Sequence, residues 1–140
     1  MKLLVCGGRD FTDQEWLFTH LDKIHDEETI TLIIEGGQRT YDEKLQRNVG
    51  GADFLANRWA YLNGVECKTE KARWKIHHKR AGLIRNQLML TKYKPDRVFS
   101  APGGNGTAHM VSIARAAGVP VIKPNYGGFF GNLSPVENQN

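Results

Sequence analysis

A three-layer α/β domain is the fold the sequence predicts, with a central parallel sheet of about five strands covered by helices on both faces. Short apolar runs alternate five times with longer amphipathic segments, the pattern of parallel strands joined by helical crossovers. Three of those runs end in glycine turns, at Gly7-Gly8, Gly36-Gly37 and Gly103-Gly104, which places all three at one edge of such a sheet. A length of 140 residues fits one domain with one contiguous core.

Each element has its own justification. Leu3-Leu4-Val5-Cys6 is the first strand, and Gly7 to Phe11 is the turn that follows it. Thr12 or Asp13 caps the next helix, in which Trp16, Leu17, His20, Leu21 and Ile24 recur at the spacing of one buried face. Thr31 to Ile34 is the second strand, ended by Glu35-Gly36-Gly37. Residues 38–49 are polar and without a period, and read as an inserted loop, a mobile excursion or a small lid beside a pocket. Gly50-Gly51-Ala52-Asp53 opens a helix with Phe54, Leu55, Trp59 and Leu62 as its apolar contacts and Gly64 as its stop. Val65 to Thr69 is a weaker third strand. His78 to Thr91 forms a helix that buries Leu83, Ile84, Leu88 and Met89, and Pro95 closes it. Arg97 to Ser100 is the fourth strand, Thr107 to Ala117 the last helix, and Gly118 to Ile122 the fifth strand. The domain therefore covers residues 1–124, and residues 125–140, rich in Gly and Asn, are expected to form a flexible tail.

Charge and composition narrow the partners. A net charge of +4 and a pI near 9.2 favour anionic partners, either phosphorylated small molecules or nucleic acid. Basic residues crowd the stretch from Lys68 to Arg97, where a solvated helix face is the simplest account. The sequence opens on a strand pattern and contains no apolar run of membrane length, so neither a secretion signal nor a membrane contact is expected. Cys6 and Cys67 sit at strand-like runs and suit a reducing cytoplasm as buried thiols. His77-His78 lacks a third ligand at suitable spacing, so no metal is expected.

The chemistry concentrates at Pro102-Gly103-Gly104-Asn105-Gly106-Thr107. Its three glycines leave the backbone uncovered and free to take positive φ where a helix begins. An anion placed there gains unpaired N–H groups and the positive end of the helix dipole together, with the Thr107 hydroxyl at the rim. A helix start with no ligand is the alternative, but three glycine turns at one sheet edge favour a binding site beyond the strand ends. None of the three has dinucleotide G-x-G-x-x-G or P-loop spacing, so an ordinary NAD dehydrogenase or NTPase is disfavoured and no resident cofactor is expected.

Four segments in order carry a family resemblance: Gly-Gly-Arg-Asp-Phe at 7–11; Gly36-Gly37 with Gly51-Ala52-Asp53; Ala-Gly-Leu-Ile-Arg-Asn-Gln-Leu-Met at 81–89; and Pro-Gly-Gly-Asn-Gly-Thr at 102–107. The chain resembles, over about residues 1–123, the YspA-like branch of the SLOG superfamily, which unites LOG phosphoribohydrolases with Smf/DprA proteins. The resemblance implies a Rossmann-like fold, a pocket for a nucleotide or an NAD- or ADP-ribose-derived ligand, and a homo-oligomer. Two departures stand out. Members of the branch run the second glycine turn directly into Gly-Ala-Asp, whereas here residues 38–49 intervene. The LOG enzymes carry a catalytic glutamate pair at the positions of His109 and Met110, while their arginine matches Arg85.

Physical roles follow for single residues. Arg85 offers a planar fork of donors, either to a phosphate or to a structural carboxylate. Asp53, in the first turn of its helix, either accepts hydrogen bonds from a ribose diol or complements the helix dipole. Phe11 and Trp74 either stack on a base or belong to the core. Asn86 bonds a ligand or its neighbour, and Arg9 reaches a phosphate or a surface carboxylate.

Three functions from different classes remain. The first is a module that binds a nucleotide or NAD-derived phosphorylated molecule, as a sensor or a sequestering protein. The second is a nucleotide N-glycosidic hydrolase, with Asp53 and Arg85 as candidate catalytic residues and Asp10 or Glu35 as other possible carboxylates. The third is single-stranded nucleic-acid binding through the basic segment, disfavoured because aromatics are not interleaved with the charges.

Overall fold

The computed structural model describes residues 1–127. In chain order the elements are β1 (Lys2–Cys6), α1 (Gln14–Glu27), β2 (Leu32–Glu35), β3 (Thr40–Asp42), β4 (Arg47–Gly50), α2 (Ala52–Leu62), β5 (Glu66–Thr69), α3 (Trp74–His77), α4 (Ala81–Tyr93), β6 (Arg97–Ser100), α5 (Asn105–Ala116) and β7 (Val121–Ile122). Five strands form one parallel sheet in the order β5-β2-β1-β6-β7. The fold is thus the expected α/β sandwich with a five-stranded parallel sheet.

Alternation along β1 divides the core into two layers, because successive strand side chains point to opposite faces. Leu3 and Val5 join Leu17, Leu21, Leu55 and Trp59 of α1 and α2 on one side. Leu4 and Cys6 join Met89, Leu90, Met110 and Val111 of α4 and α5 on the other. β1 is central because it pairs with both β2 and β6, Leu4 standing opposite Ile34 and Val98. From β1 the chain steps outward through β2 to β5, then crosses back to β6 and outward again to β7. The direction of winding therefore reverses between β1 and β6, which is where ligand crevices open in such sheets.

Several boundaries and burials differ from expectation. Residues 38–49 are not a shapeless excursion: β3 and β4 pair antiparallel, with an irregularity between Thr40 and Tyr41. The turn between them is closed by Asp42, whose carboxylate accepts from the Lys44 and Leu45 amides at 2.9 and 3.0 Å. A hairpin with little to bury on either face has no hydrophobic period to read. α4 starts at Ala81 rather than His78, since His78 takes a φ of 53° and a single 3₁₀ turn separates α3 from α4. Leu83 and Leu88, expected inside, are 46% and 40% exposed, because Arg85 and Asn86 occupy the inward face of α4. Leu62, at the end of α2, is 64% exposed. The expected tail begins at 125, yet Tyr126 is anchored: its hydroxyl donates to Asp13 at 2.8 Å, and its ring lies 5.6 Å from Phe11 and 5.3 Å from Trp16. Residues 128–140 of that tail lie outside the described residues. No helix among the described residues is long and apolar enough to cross a membrane.

Candidate functional site

The chain leaves β1 and β6 side by side, and backbone bonds fasten the two exits together. Ala101 N–H donates to Cys6 O at 2.9 Å, and Gly8 N–H donates to Pro102 O at 2.7 Å. Gly103 presses so closely on this junction that a Cβ there would meet the Thr107 side chain and lie 2.7 Å from Gly8 N. Between the two turns opens a cleft of about 540 Å³. Gly7, Gly8, Arg9, Asp10 and Phe11 line it from β1, while Pro102, Gly103, Gly104, Gly106 and Thr107 line it from β6, with Gln38 at one side.

The positive end of α5 faces this cleft. Its first amide with a backbone acceptor is Ala108 N–H, bonded to Gly104 O at 3.0 Å. Among the described residues, the amides of Asn105, Gly106 and Thr107 have no acceptor. The positive φ that these glycines leave open is not used: Gly104 has a φ of −100°, and neither Gly103 nor Gly106 is in the left-handed region. The turn is open because no side chain covers it, not because the backbone is reversed. At α2 the entry is tied down, since the N-cap Gly51 N–H donates to Phe11 O and the first helical amide, Ala52 N–H, to Gly8 O. Gly51, with a φ of 101°, therefore shapes the wall and does not line the cleft.

Behind the cleft lies an inner chamber of about 30 Å³, which shares Gly7, Gln38, Gly106 and Thr107 with it. Asp53, Arg85, Asn86, Gly36 and Cys6 also line the chamber. Arg85 is only 8% exposed. Its Nη1 donates to Gly36 O at 2.5 Å and its Nε to Asn86 Oδ1 at 3.0 Å. Gly36 permits that approach, since a Cβ there would stand 2.7 Å from Nη1. Asn86 passes the link onward, its Nδ2 donating to Gly106 O at 3.1 Å and lying 3.1 Å from His109 Nδ1. Burial lowers the Arg85 pKa, and the nearby Asp53 and Glu35 raise it back; a guanidinium remains charged. No carboxylate hydrogen-bonds Arg85 among the described residues, so the structural-carboxylate alternative for it is not what this geometry supplies.

Asp53 is 5% exposed, and its Oδ2 accepts from Gln38 N–H at 3.0 Å. Burial pushes its carboxyl up to about 7, and Glu35 adds to the rise; the Gln38 amide, Arg85 and Arg39 oppose it. Burial likewise pushes the Cys6 thiol up to about 12, which removes it as a nucleophile.

Glu35 has a role its residue type does not announce. Fully buried at the end of β2, it receives Arg39 on both oxygens at 3.1 and 3.2 Å. Gly37 N–H at 2.6 Å, Thr69 Oγ1 at 2.5 Å and Asn57 Nδ2 at 3.3 Å complete its shell. All its acceptor capacity serves to hold the Gly36-Gly37 turn and the base of the hairpin, so it is not a free catalytic carboxylate. The sequence signal for it is a glutamate that ends a buried apolar strand.

Other expected site residues divide. Arg9 and Asp10 are exposed at the cleft. Phe11 lines it while packing edge-on against Trp16 at 5.6 Å, so the core reading of this ring holds as well. Trp74 is 55% exposed and lines neither space; its ring faces Gly82 on α4. Asn105 and Gly37 line neither space.

Fold and crevice together define a doubly wound, Rossmann-like domain with an open helix start at its switch point. The chain belongs to the YspA, cpYpsA-related SLOG family, whose model matches residues 1–77. That match contains the two glycine turns before the hairpin and after it the Gly51-Ala52-Asp53 helix start; the segments at 81–89 and 102–107 lie beyond it. The chain is also similar to the Gene 61 protein of Mycobacterium phage D29, with 31% identity over 134 residues covering 90% of this chain and 96% of the relative. No solved structure matches it.

Proposed function

We propose that the protein binds a phosphorylated molecule derived from a nucleotide, NAD or ADP-ribose, as a sensor or sequestering protein. The observation that carries this reading is the set of unbonded amides at the start of α5, facing a cleft at the β1–β6 switch point. A phosphoryl group there receives oriented N–H donors and the helix dipole at once. The cleft volume of about 540 Å³ falls within the range of small-molecule sites. Arg85 contributes in a different way from a mobile arm. Pinned to Gly36 and Asn86, it sets a fixed positive charge behind the amides. Calorimetric titration with 5′-AMP, ADP-ribose and adenosine tests the reading, together with mass spectrometry of small molecules retained on purification. The phosphorylated compounds should bind at least tenfold more tightly than the nucleoside, the gain of about one hydrogen bond to a charged group. Equal affinity for adenosine and 5′-AMP overturns it.

One observation favours the hydrolase as a second reading: Asp53, with its pKa raised to about 7, lies in the same chamber as Arg85. A buried carboxyl so poised suits proton transfer at a glycosidic bond. Incubation with AMP and NAD followed by chromatography for released base decides it. For the expected homo-oligomer, this reading takes as the contact the exposed Trp74 and Ile76 of α3 with the exposed leucines of α4, Leu83 and Leu88. A monomeric mass in light scattering at working concentration refutes that assignment.

A further inference from the structure

Asp53 and Arg85 are both more than nine-tenths buried, and both line the inner chamber. Each has one polar atom left over. Among the described residues, Asp53 Oδ1 accepts no hydrogen bond and Arg85 Nη2 donates none, while their other polar atoms are engaged. The chamber therefore presents an acceptor and a donor, and it connects with the outer cleft along Gly7, Gln38, Gly106 and Thr107.

Size and charge define what enters. With about 30 Å³ against about 540 Å³ in the cleft, the chamber takes a small polar group and leaves the bulk of a nucleotide outside. An ionised carboxylate only accepts and a guanidinium only donates, so one group satisfies both when it carries donor and acceptor on a single atom. A hydroxyl does so.

We propose that the inner chamber is a hydroxyl-reading subsite, in which one ribose hydroxyl of the bound molecule donates to Asp53 Oδ1 and accepts from Arg85 Nη2. The inference rests on the phosphate reading above, with the phosphoryl group on α5 and the sugar turned inward. It makes the protein selective for ribo- over deoxyribo-ligands, since a missing hydroxyl leaves two buried polar atoms unpaired. It also couples selectivity to pH. The charged and titratable groups facing Asp53 are Glu35, Cys6 and Cys67 on the strands, Arg39 beyond β2 and Arg85 on α4. With its pKa raised to about 7, Asp53 becomes a full acceptor only as the pH passes that value.

The test is calorimetric titration of the full chain with 5′-AMP, its 2′-deoxy and 3′-deoxy analogues, and inorganic phosphate, at pH 6 and pH 8. One deoxy analogue should bind about tenfold or more weakly than 5′-AMP at pH 8, with a smaller gap at pH 6. Asp53→Asn should bind 5′-AMP and that analogue with nearly equal affinity at both pH values, and circular dichroism reports whether this variant is folded. If it is not, the pH dependence of the gap in the unaltered protein decides alone. Equal binding of all three nucleotides overturns the hydroxyl subsite and leaves the phosphate site standing. Binding of neither phosphate nor any nucleotide overturns both.

Discussion

Replacing Asp53 by asparagine puts the electrostatics of the inner chamber to a test that needs no ligand. The Asp53 carboxyl ionises near 3.8 when unperturbed and near 7 in the fold, chiefly because it is buried. Between those values the unfolded chain has released this proton and the folded chain still holds it. The folded state then binds more protons, so stability is greatest below about pH 4 and falls as the pH rises towards 7. Above that point the penalty levels off at about 4 kcal/mol, the free-energy equivalent of the raised pKa. The Asp53→Asn side chain keeps an oxygen for the Gln38 amide and never acquires the charge. Urea unfolding followed by tryptophan fluorescence, repeated from pH 4 to pH 8, should give similar stabilities at the acid end. The variant should be more stable by up to about 4 kcal/mol at the alkaline end, or roughly 10 °C in Tm for a chain of this size. Parallel curves for the two proteins across the whole range would mean that the carboxyl is already ionised in the folded protein. The chamber would then be wetter than its burial indicates.

Other substitutions probe the surrounding turns. Gly103→Ala forces a methyl group against Thr107 and Gly8 N and should cost about 1–3 kcal/mol by overpacking. Gly106→Ala enters open space within α5 and should gain about 0.5–1 kcal/mol from helix propensity; equal melting temperatures for the two variants would contradict the packing described here. Arg39→Ala leaves Glu35 buried without its cation and should lower stability by about 3 kcal/mol or more in chemical denaturation. A loss below about 1 kcal/mol would rank the pair with ordinary surface bridges. Arg85→Ala should weaken binding of 5′-AMP by about 1.5–3 kcal/mol, read by calorimetry, and that of adenosine by less, since the nucleoside loses only the hydroxyl contact and not the fixed charge behind the amides; unchanged binding of both would assign Arg85 to the fold alone.

The inner strands were legible because they are buried and read as apolar runs, as Leu3 to Cys6 does, whereas the edge strand β5, largely exposed from Glu66 to Thr69, was the weakest to read. The glycine turns were legible for a related reason, since the residue type itself marks places where backbones approach. Burial on the helices was harder to read. On α4 the inward positions are shared with Arg85 and Asn86, so counting leucines turns the helix the wrong way. Glu35 could not be told in the sequence from the other candidate carboxylates because its partners come from Arg39, Asn57 and Thr69, which only the folded chain assembles. The hairpin at 40–50 was invisible because its stability comes from backbone pairing and the Asp42 turn, neither of which leaves a hydrophobic period.

Phe11 gives the molecule a built-in optical reporter. One side of its ring belongs to the cleft, and the other meets Trp16 and Tyr126 at 5.6 Å each. An occupant that displaces Phe11 changes the surroundings of the Trp16 indole. The remaining tryptophans give a steady background: Trp59 is fully buried with its Nε1 bonded to Asp22 at 2.8 Å, and Trp74 faces solvent. Occupancy of the crevice can thus be followed by intrinsic emission in a rapid-mixing instrument, without a label, and Trp16→Phe should silence the signal while leaving the crevice itself in place.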